Sequence, residues 1–324
     1  MNKTGGTFSK DHDRTARLSN VALLYYGEGL TQSEIAKRLQ VSRVTVVNLL
    51  REARDQGIVE IHVNGEQLKE STLARELASK FDLEDVYVSD VFDTQAVDRA
   101  AVLRQLGRVA SMAFLDIVEP GDRIGIAWGE TIMAMSDALP RVRVEGAEVS
   151  QLIGSMISKR VPASENCTIR IASQIGAVCY TLHAPALAST PELAQLFRDE
   201  PTIATQLERL QNLDMVAYSI GNLSDETHMA AAGMTTVKEL HAAQAKGARG
   251  IICCRFIDAD GRGISLPPTD RIIASELADL RAAKKRMLVV CGEDRLDAIQ
   301  AAIMGGLATH LCIDAALGKA LLSA

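Results

Sequence analysis

The stretch TQSEIAKRLQVSRVTVVNLLREARDQGIV, residues 31–59, predicts two short helices joined by a tight turn. Thr31 with Glu34 three residues later is the reciprocal pair that satisfies orphan backbone donors at a helix start. Ile35, Ala36 and Leu39 give that helix its buried stripe, Gln40 and Val41 make the turn, and Ser42 caps a second helix. Val46, Leu49, Leu50 and Ala53 then recur at three- and four-residue spacing, and Gly57 ends the run. In a helix-turn-helix the second helix enters the DNA major groove and its first residues meet base edges. Here these are Arg43, Val44, Thr45, Val47 and Asn48, with Thr31, Gln32 and Ser42 beside them. Arg can bond guanine bidentately, Asn can do the same to adenine, and Thr or Val methyls can touch thymine. Lys37, Arg51 and Arg54 are placed to hold phosphates.

A helical hairpin that merely packs on a partner is the competing reading, and charge argues against it. Residues 1–63 carry nine Lys or Arg against seven Asp or Glu, a balance of +2, with Arg14, Arg17 and Arg38 close to the motif. The whole chain stands at −6, so residues 64–324 stand at −8 and should not bind DNA non-specifically. The all-α module is therefore expected to span residues 1–63, with its first ten or so residues disordered.

At 324 residues and 47% hydrophobic, the chain has room for that module and a large second domain over residues 64–324. No apolar run approaches the ~18 residues that a membrane span needs. The polar start MNKTGGTFSKDHDRTARLSN lacks the apolar centre of a signal peptide, so a cytoplasmic location and no membrane partner are expected. The six cysteines show no CxxC spacing and read as reduced, mostly buried thiols, and the six histidines are dispersed. Neither a metal nor a cofactor is expected.

After Gly57, residues 58–63 alternate as a short strand or wing, and residues 64–67 read as a linker. Apolar spacing predicts a helix over residues 68–82, a strand in DVYVSDVF and a helix over residues 96–118. Strands follow in RIGIAW, AEVSQLI, DMVAYSI, GIICCRFID, MLVVCG and THLCID, separated by helical crossovers. Such alternation predicts an α/β domain with a largely parallel sheet covered on both faces.

Ligands of these sheets sit outside the carboxyl ends of the strands. In GIAWGETI, residues 125–132, a strand ends at Trp128-Gly129 and a helix starts at Glu130-Thr131. Gly125 and Gly129 permit close backbone approach, the helix start offers free amides for phosphate, and the Thr131 hydroxyl adds a donor. A single Gly beside a helix start is common, but three more loops share the pattern: Gly154-Ser155, Gly221-Asn222, and Gly292-Glu293-Asp294-Arg295.

Together SRVTVVNLLREARDQGIVEI, GIAWGETI, QLIGS and the tail from GARGIICCRFIDADGRGISLPPTDRIIAS to CGEDRLDAIQAAIMGGLATHLCIDAALGKALL resemble the SorC family of bacterial transcriptional regulators. The resemblance covers nearly the whole chain. It implies a DNA reader joined to an effector domain related in fold to sugar-phosphate isomerases and deaminases. It also implies a homodimer or homotetramer that binds operator DNA and responds to a sugar, sugar phosphate or polyol. By the same resemblance Trp128, Gly129, Glu130 and Thr131 form a phosphate-facing loop, Gly154 and Ser155 a pocket edge, and Asp270 and Arg271 a segment near the pocket. Three positions depart from the family pattern: Ile251 where an acidic residue is common, Arg295 where lysine is common, and Asn48 where arginine is frequent.

The rival class is a phosphosugar isomerase or deaminase with an accessory DNA module, since fold does not fix function. Its candidate acids and bases are Glu130, Asp258, Asp260 and Asp270; Asp258 and Asp260 read more simply as a hairpin turn, and no His lies in the four loops. A third reading is a constitutive DNA binder whose large domain only oligomerises. The regulator reading implies that an effector at the 128–131 loop shifts subunit packing, and so the spacing of two readers on two half-sites.

Overall fold

The computed structural model describes residues 7–59, 69, 71–90, 98–156, 164–266 and 269–324. The chain separates into two compact units, Met1–Val63 and Asn64–Ala324. In the first, helices Thr7–Ala22, Gln32–Arg38 and Arg43–Asp55 close over a core that includes Leu18, Val21, Leu24, Ile35, Val46 and Leu50.

The ends of these helices are held as the residues dictate. Thr31 Oγ1 accepts from the Glu34 amide at 3.3 Å while Glu34 Oε2 accepts from the Thr31 amide at 2.8 Å. Ser42 Oγ accepts from the Thr45 amide at 3.0 Å, and Gln40 makes the intervening turn at φ 51°. The third helix closes through two backbone bonds, Gly57 to Arg54 and Ile58 to Ala53, with Gly57 left-handed at φ 69°. Two expectations change here. Residues 7–10 are helical rather than disordered, because a helix anchored at Leu18 and Val21 propagates backwards more easily than it nucleates. Ile58 and Val59 complete the helix cap and pack on the core instead of starting a wing. Residues 60–63 and the linker 64–67 lie outside the described residues.

The second unit holds strands β1 (Asp85–Ser89), β2 (Arg123–Ile126), β3 (Glu148–Gln151), β4 (Val178–Tyr180), β5 (Met215–Tyr218), β6 (Gly250–Ile252), β7 (Arg255–Ile257), β8 (Lys285–Val290) and β9 (His310–Asp314). Seven of them form one sheet in the order β1-β9-β8-β5-β2-β3-β4, and every pairing in it is parallel. Side chains alternate between the two faces of a strand. Met215, Ala217, Met287 and Val289 accordingly join Val109 and Phe114 of the helix Arg99–Ile117 in one core. Val216, Tyr218, Leu288 and Val290 join Leu240, Leu280 and Ile299 in the other. Both faces of the sheet are thus covered. Among the described residues no helix is long and apolar enough to cross a membrane.

GIICCRFID is not one strand. β6 and β7 form a separate antiparallel hairpin whose two turn residues, Cys253 and Cys254, sit at φ 46° and 65°. That turn needs two left-handed residues, a role usually taken by Asn-Gly, so two cysteines hid it inside an apolar run. DADG does turn as expected, with Asp258 Oδ1 accepting from the amides of Asp260 and Arg262.

Where the second unit begins, Lys69 Nζ reaches Asp85 at 3.1 Å and Asp116 at 2.6 Å, and the Tyr87 hydroxyl donates to Asp116 at 2.5 Å. Burial raises the Asp116 pKa, but the bonds from Lys69 and Tyr87 outweigh it and hold the carboxyl below its ordinary value. A carboxylate with a depressed folded pKa contributes stability above its unfolded pKa, and that contribution disappears as pH falls through the folded value. Asp116→Asn should therefore cost about 1–3 kcal/mol in urea unfolding at neutral pH. The deficit should shrink as acid protonates Asp116 in the parent protein; a deficit independent of pH would contradict the ion pair's role.

Candidate functional site

From β2 the chain moves outward to β3 and β4, then returns past β2 to place β5, and later β8, on its other side. Strand order reverses between β2 and β5, and a crevice is expected at their carboxyl ends. A pocket lies there, with about 640 Å³ of empty space including the part open to solvent. Trp128 to Thr131 enter it from the end of β2, Ser219 to Gly221 from β5, and Arg295 from the turn after β8. Arg99, at the start of the helix after β1, and Ile251, Cys253 and Cys254 of the hairpin complete much of the lining.

The helix Glu130–Ala138 starts at the pocket without a side-chain cap. Its preceding residue, Gly129, is at φ 153°, a backbone conformation that calls for glycine, and a Cβ there would crowd Ser219 Cβ at 3.2 Å. Glu130 accepts from Arg99 Nη2 at 2.8 Å and pairs with His228 Nε2 at 3.0 Å. Burial works against the Glu130 charge, but the Arg99 bond and the nearby His228 prevail and keep its pKa below normal. The Trp128 and His228 rings lie 6.4 Å apart at 31°. Arg295 Nη1 binds Cys291 O at 3.2 Å and Asp294 Oδ1 at 2.9 Å. A Cβ built on Gly292 would lie 3.2 Å from Arg295 Nη1 and 3.7 Å from Arg99 Nη1, so the two guanidinium groups converge over that glycine. An uncapped helix start and two convergent guanidiniums, each also held by a carboxylate, offer N–H donors of the kind that can meet an anion.

Of the residues expected from sequence, the pocket gathers Trp128, Gly129, Glu130, Thr131, Gly221 and Arg295. The others are not among its lining residues. A Cβ on Gly125 would stand 2.6 Å from both Leu152 and Leu213, inside the core beneath β2. Gly154 abuts the Ala184 and Pro185 backbone, and the Ser155 amide bonds Ala184 O at 2.7 Å. Asn222 Nδ2 bonds Asp294 Oδ2 at 2.5 Å, bracing the Arg295 turn from outside the lining. Asp270 and Arg271 occupy a 3-10 turn away from the lining residues, where Arg271 stands 4.0 Å from Glu239. The Thr131 hydroxyl is not offered to a ligand as a donor, because it donates to Val289 O at 2.8 Å within the core.

Sequence reading missed Arg99, Ser219, Thr227 and His228, which reach the pocket from distant parts of the chain and carry no local motif. The absence of histidine from the four loops did not mean its absence from the site. His228 nevertheless does not make Glu130 a poised base, since a carboxylate with a lowered pKa that already holds two partners is ill suited to take a proton near neutral pH. Among the described residues no cluster of three or more His, Cys, Asp or Glu could hold a metal ion.

On the helix Arg43–Asp55, Arg43, Val44, Asn48 and Arg51 are exposed on one face, with Thr45 and Val47 partly so. Val46, Leu49, Leu50 and Ala53 are buried on the other. Arg43 Nε donates to Gln32 Oε1 at 3.3 Å, and the Ser42 and Thr45 hydroxyls pair at 2.8 Å. Lys37 is exposed on the preceding helix.

Residues 66–323 match the family model described as "Putative sugar-binding domain", and residues 15–56 match "Sigma-70, region 4". The transcriptional regulator YjhU of Escherichia coli K12 is 32% identical over 93% of this chain and 92% of its own. The deoxyribonucleoside regulator of Bacillus subtilis is 29% identical over 97% of this chain and 99% of its own. The crystal structure of the full-length sorbitol operon regulator SorC from Klebsiella pneumoniae superposes with a TM-score of 0.75 at 25% identity, covering 95% of this chain and 98% of that one. The chain belongs to the SorC family of transcriptional regulators. In this SorC-family member, replacing Thr131 with Val should cost about 0.5–1.5 kcal/mol in urea unfolding, because it removes the bond from the Thr131 hydroxyl to the Val289 carbonyl. An unchanged midpoint would show that the bond does not hold the helix start.

Proposed function

We propose that the protein is a transcriptional regulator of carbohydrate or polyol metabolism, whose operator binding is set by a sugar or sugar phosphate in the pocket at the ends of β2, β5 and β8. The carrying observation is the pairing, on one chain, of a capped helix-turn-helix with a sugar-binding-domain pocket edged by Arg99, Arg295 and an uncapped helix start. Relatives named as regulators support this reading over a sugar-phosphate isomerase, as does the chemistry of Glu130. The working form is a cytoplasmic homodimer or homotetramer, because one reader covers one half-site and two must be held about a helical turn, or a multiple, apart. Residues 64–324 both bind the effector and set that spacing. Arg43 and Asn48 read bases, with Gln32 orienting the Arg43 guanidinium. Lys37 and Arg51 bind phosphates, and Thr31, Ser42 and Thr45 shape the helix starts that meet the backbone.

Arg43→Ala or Asn48→Ala should each weaken specific binding by about 1–3 kcal/mol, the worth of one bidentate pairing with a base, with the fold intact by circular dichroism. Unchanged affinity would place the reader elsewhere. Titration onto the protein's own upstream DNA at fixed salt, with and without free and phosphorylated sugars and polyols, tests the whole reading. One compound should shift the curve. Specific binding that no compound moves would leave a constitutive binder, and no specific binding would return the isomerase to first place.

A further inference from the structure

The pocket is chemically lopsided. Arg99, Arg295 and the start of the helix at Glu130 give one side its N–H donors, with Glu130 and Asp294 each balancing one of the two guanidinium charges. Ile251, Ile153, Met229, Cys253 and Cys254 make another side apolar, and burial pushes the Cys254 thiol up to about 12, so it is neutral at any physiological pH. Ile251 is fixed there by the backbone. Its amide donates to Gly221 O and its carbonyl accepts from the Gly221 amide, both at 2.9 Å. A Cβ on Gly221 would lie 3.6 Å from both Ile251 Cβ and Thr227 Oγ1, so that isoleucine stands beside the loop after β5.

Among the described lining residues Glu130 is the one carboxylate, and it already accepts from Arg99 and His228. The hydroxyls of Ser219 and Thr227 line the pocket and can serve a ligand's own hydroxyls. The Ile251 side chain itself offers no such partner. A ligand hydroxyl pressed against that side chain gives up water and receives nothing in return. A CH2 at the same place loses nothing and gains contact.

Building on the sugar-phosphate reading above, we infer that the effector is a deoxy sugar phosphate: its phosphate meets Arg99, Arg295 and the helix start, and a carbon without a hydroxyl rests on Ile251. The chain contains one tryptophan, Trp128, and it lines the pocket, so intrinsic fluorescence of the full-length protein reports occupancy directly. The probes are ribose 5-phosphate with its 2-deoxy and 3-deoxy forms, glucose 6-phosphate with its 2-deoxy and 3-deoxy forms, and inorganic phosphate.

At least one deoxy form should bind about ten-fold to a hundred-fold more tightly than its parent, the range by which an apolar surface discriminates against an added hydroxyl. In Ile251→Asp, and to a lesser degree in Ile251→Thr, that preference should collapse or reverse. The threonine variant keeps the side chain branched and nearly the same size, so a folding failure of the aspartate variant leaves the test standing. Parents that bind the unaltered protein as tightly as every deoxy form, or a preference that survives both substitutions, would overturn the assignment. Failure of every sugar phosphate to bind would instead overturn the sugar-phosphate reading on which it rests.

Discussion

Between β2 and β5 the chain reverses the direction in which it lays down parallel strands, and the two connections leave the sheet on opposite sides. No helix can cover the strand ends at that point, so the fold opens a crevice whether or not a ligand is present. The lining residues of the pocket gather around this opening. Gly129 lets the chain turn there into a helix with Ser219 pressed against it. Thr131 pins the new helix to β8 through the Val289 carbonyl. The hairpin β6–β7 lies outside the main sheet, and its Ile251 closes the third side through Gly221.

The charges follow from the same geometry. Two guanidiniums brought together over Gly292 would repel one another, and each is held by its own carboxylate, Arg99 by Glu130 and Arg295 by Asp294. Both guanidiniums are therefore held in place by the protein itself. Arginine presents a planar fork of donors, so each group can keep its protein partner while turning other N–H bonds toward a ligand. The reading helix in the other unit is ordered by comparable means. Its Ser42 cap and Gly57 closure use backbone and side-chain bonds at its ends, which leaves Arg43, Asn48 and Arg51 exposed along the outer face.

Features whose physics is local were legible from the sequence. Thr31-Glu34, Ser42 and Gly57 announce helix ends within a few residues, and period-two and period-3.6 patterns locate most strands and crossovers. GIAWGETI was likewise readable as a strand end that becomes a helix start. What escaped was non-local or disguised. Arg99 and His228 meet at Glu130 across more than a hundred positions of chain, and nothing near either one signals the other. Gly125 and Gly154 looked like ligand-facing glycines but are small because Leu152 and Leu213, or the Ala184 backbone, fill the space beside them. The Cys253-Cys254 turn was invisible because its left-handed residues are not the types that normally mark such turns.

On the proposed function, occupancy of the crevice and affinity for operator are two faces of one equilibrium. Linkage then requires reciprocity: if ligand changes operator affinity by some factor, operator must change ligand affinity by the same factor. Trp128 makes this measurable, since it is the chain's sole tryptophan and lies in the pocket lining. The decisive measurement is a ligand titration followed by Trp128 fluorescence at fixed salt, with and without saturating operator DNA. The midpoint should be displaced by the factor that the ligand imposes on DNA binding. Superimposable curves, from a ligand that does alter operator binding, would place the effector somewhere other than this pocket.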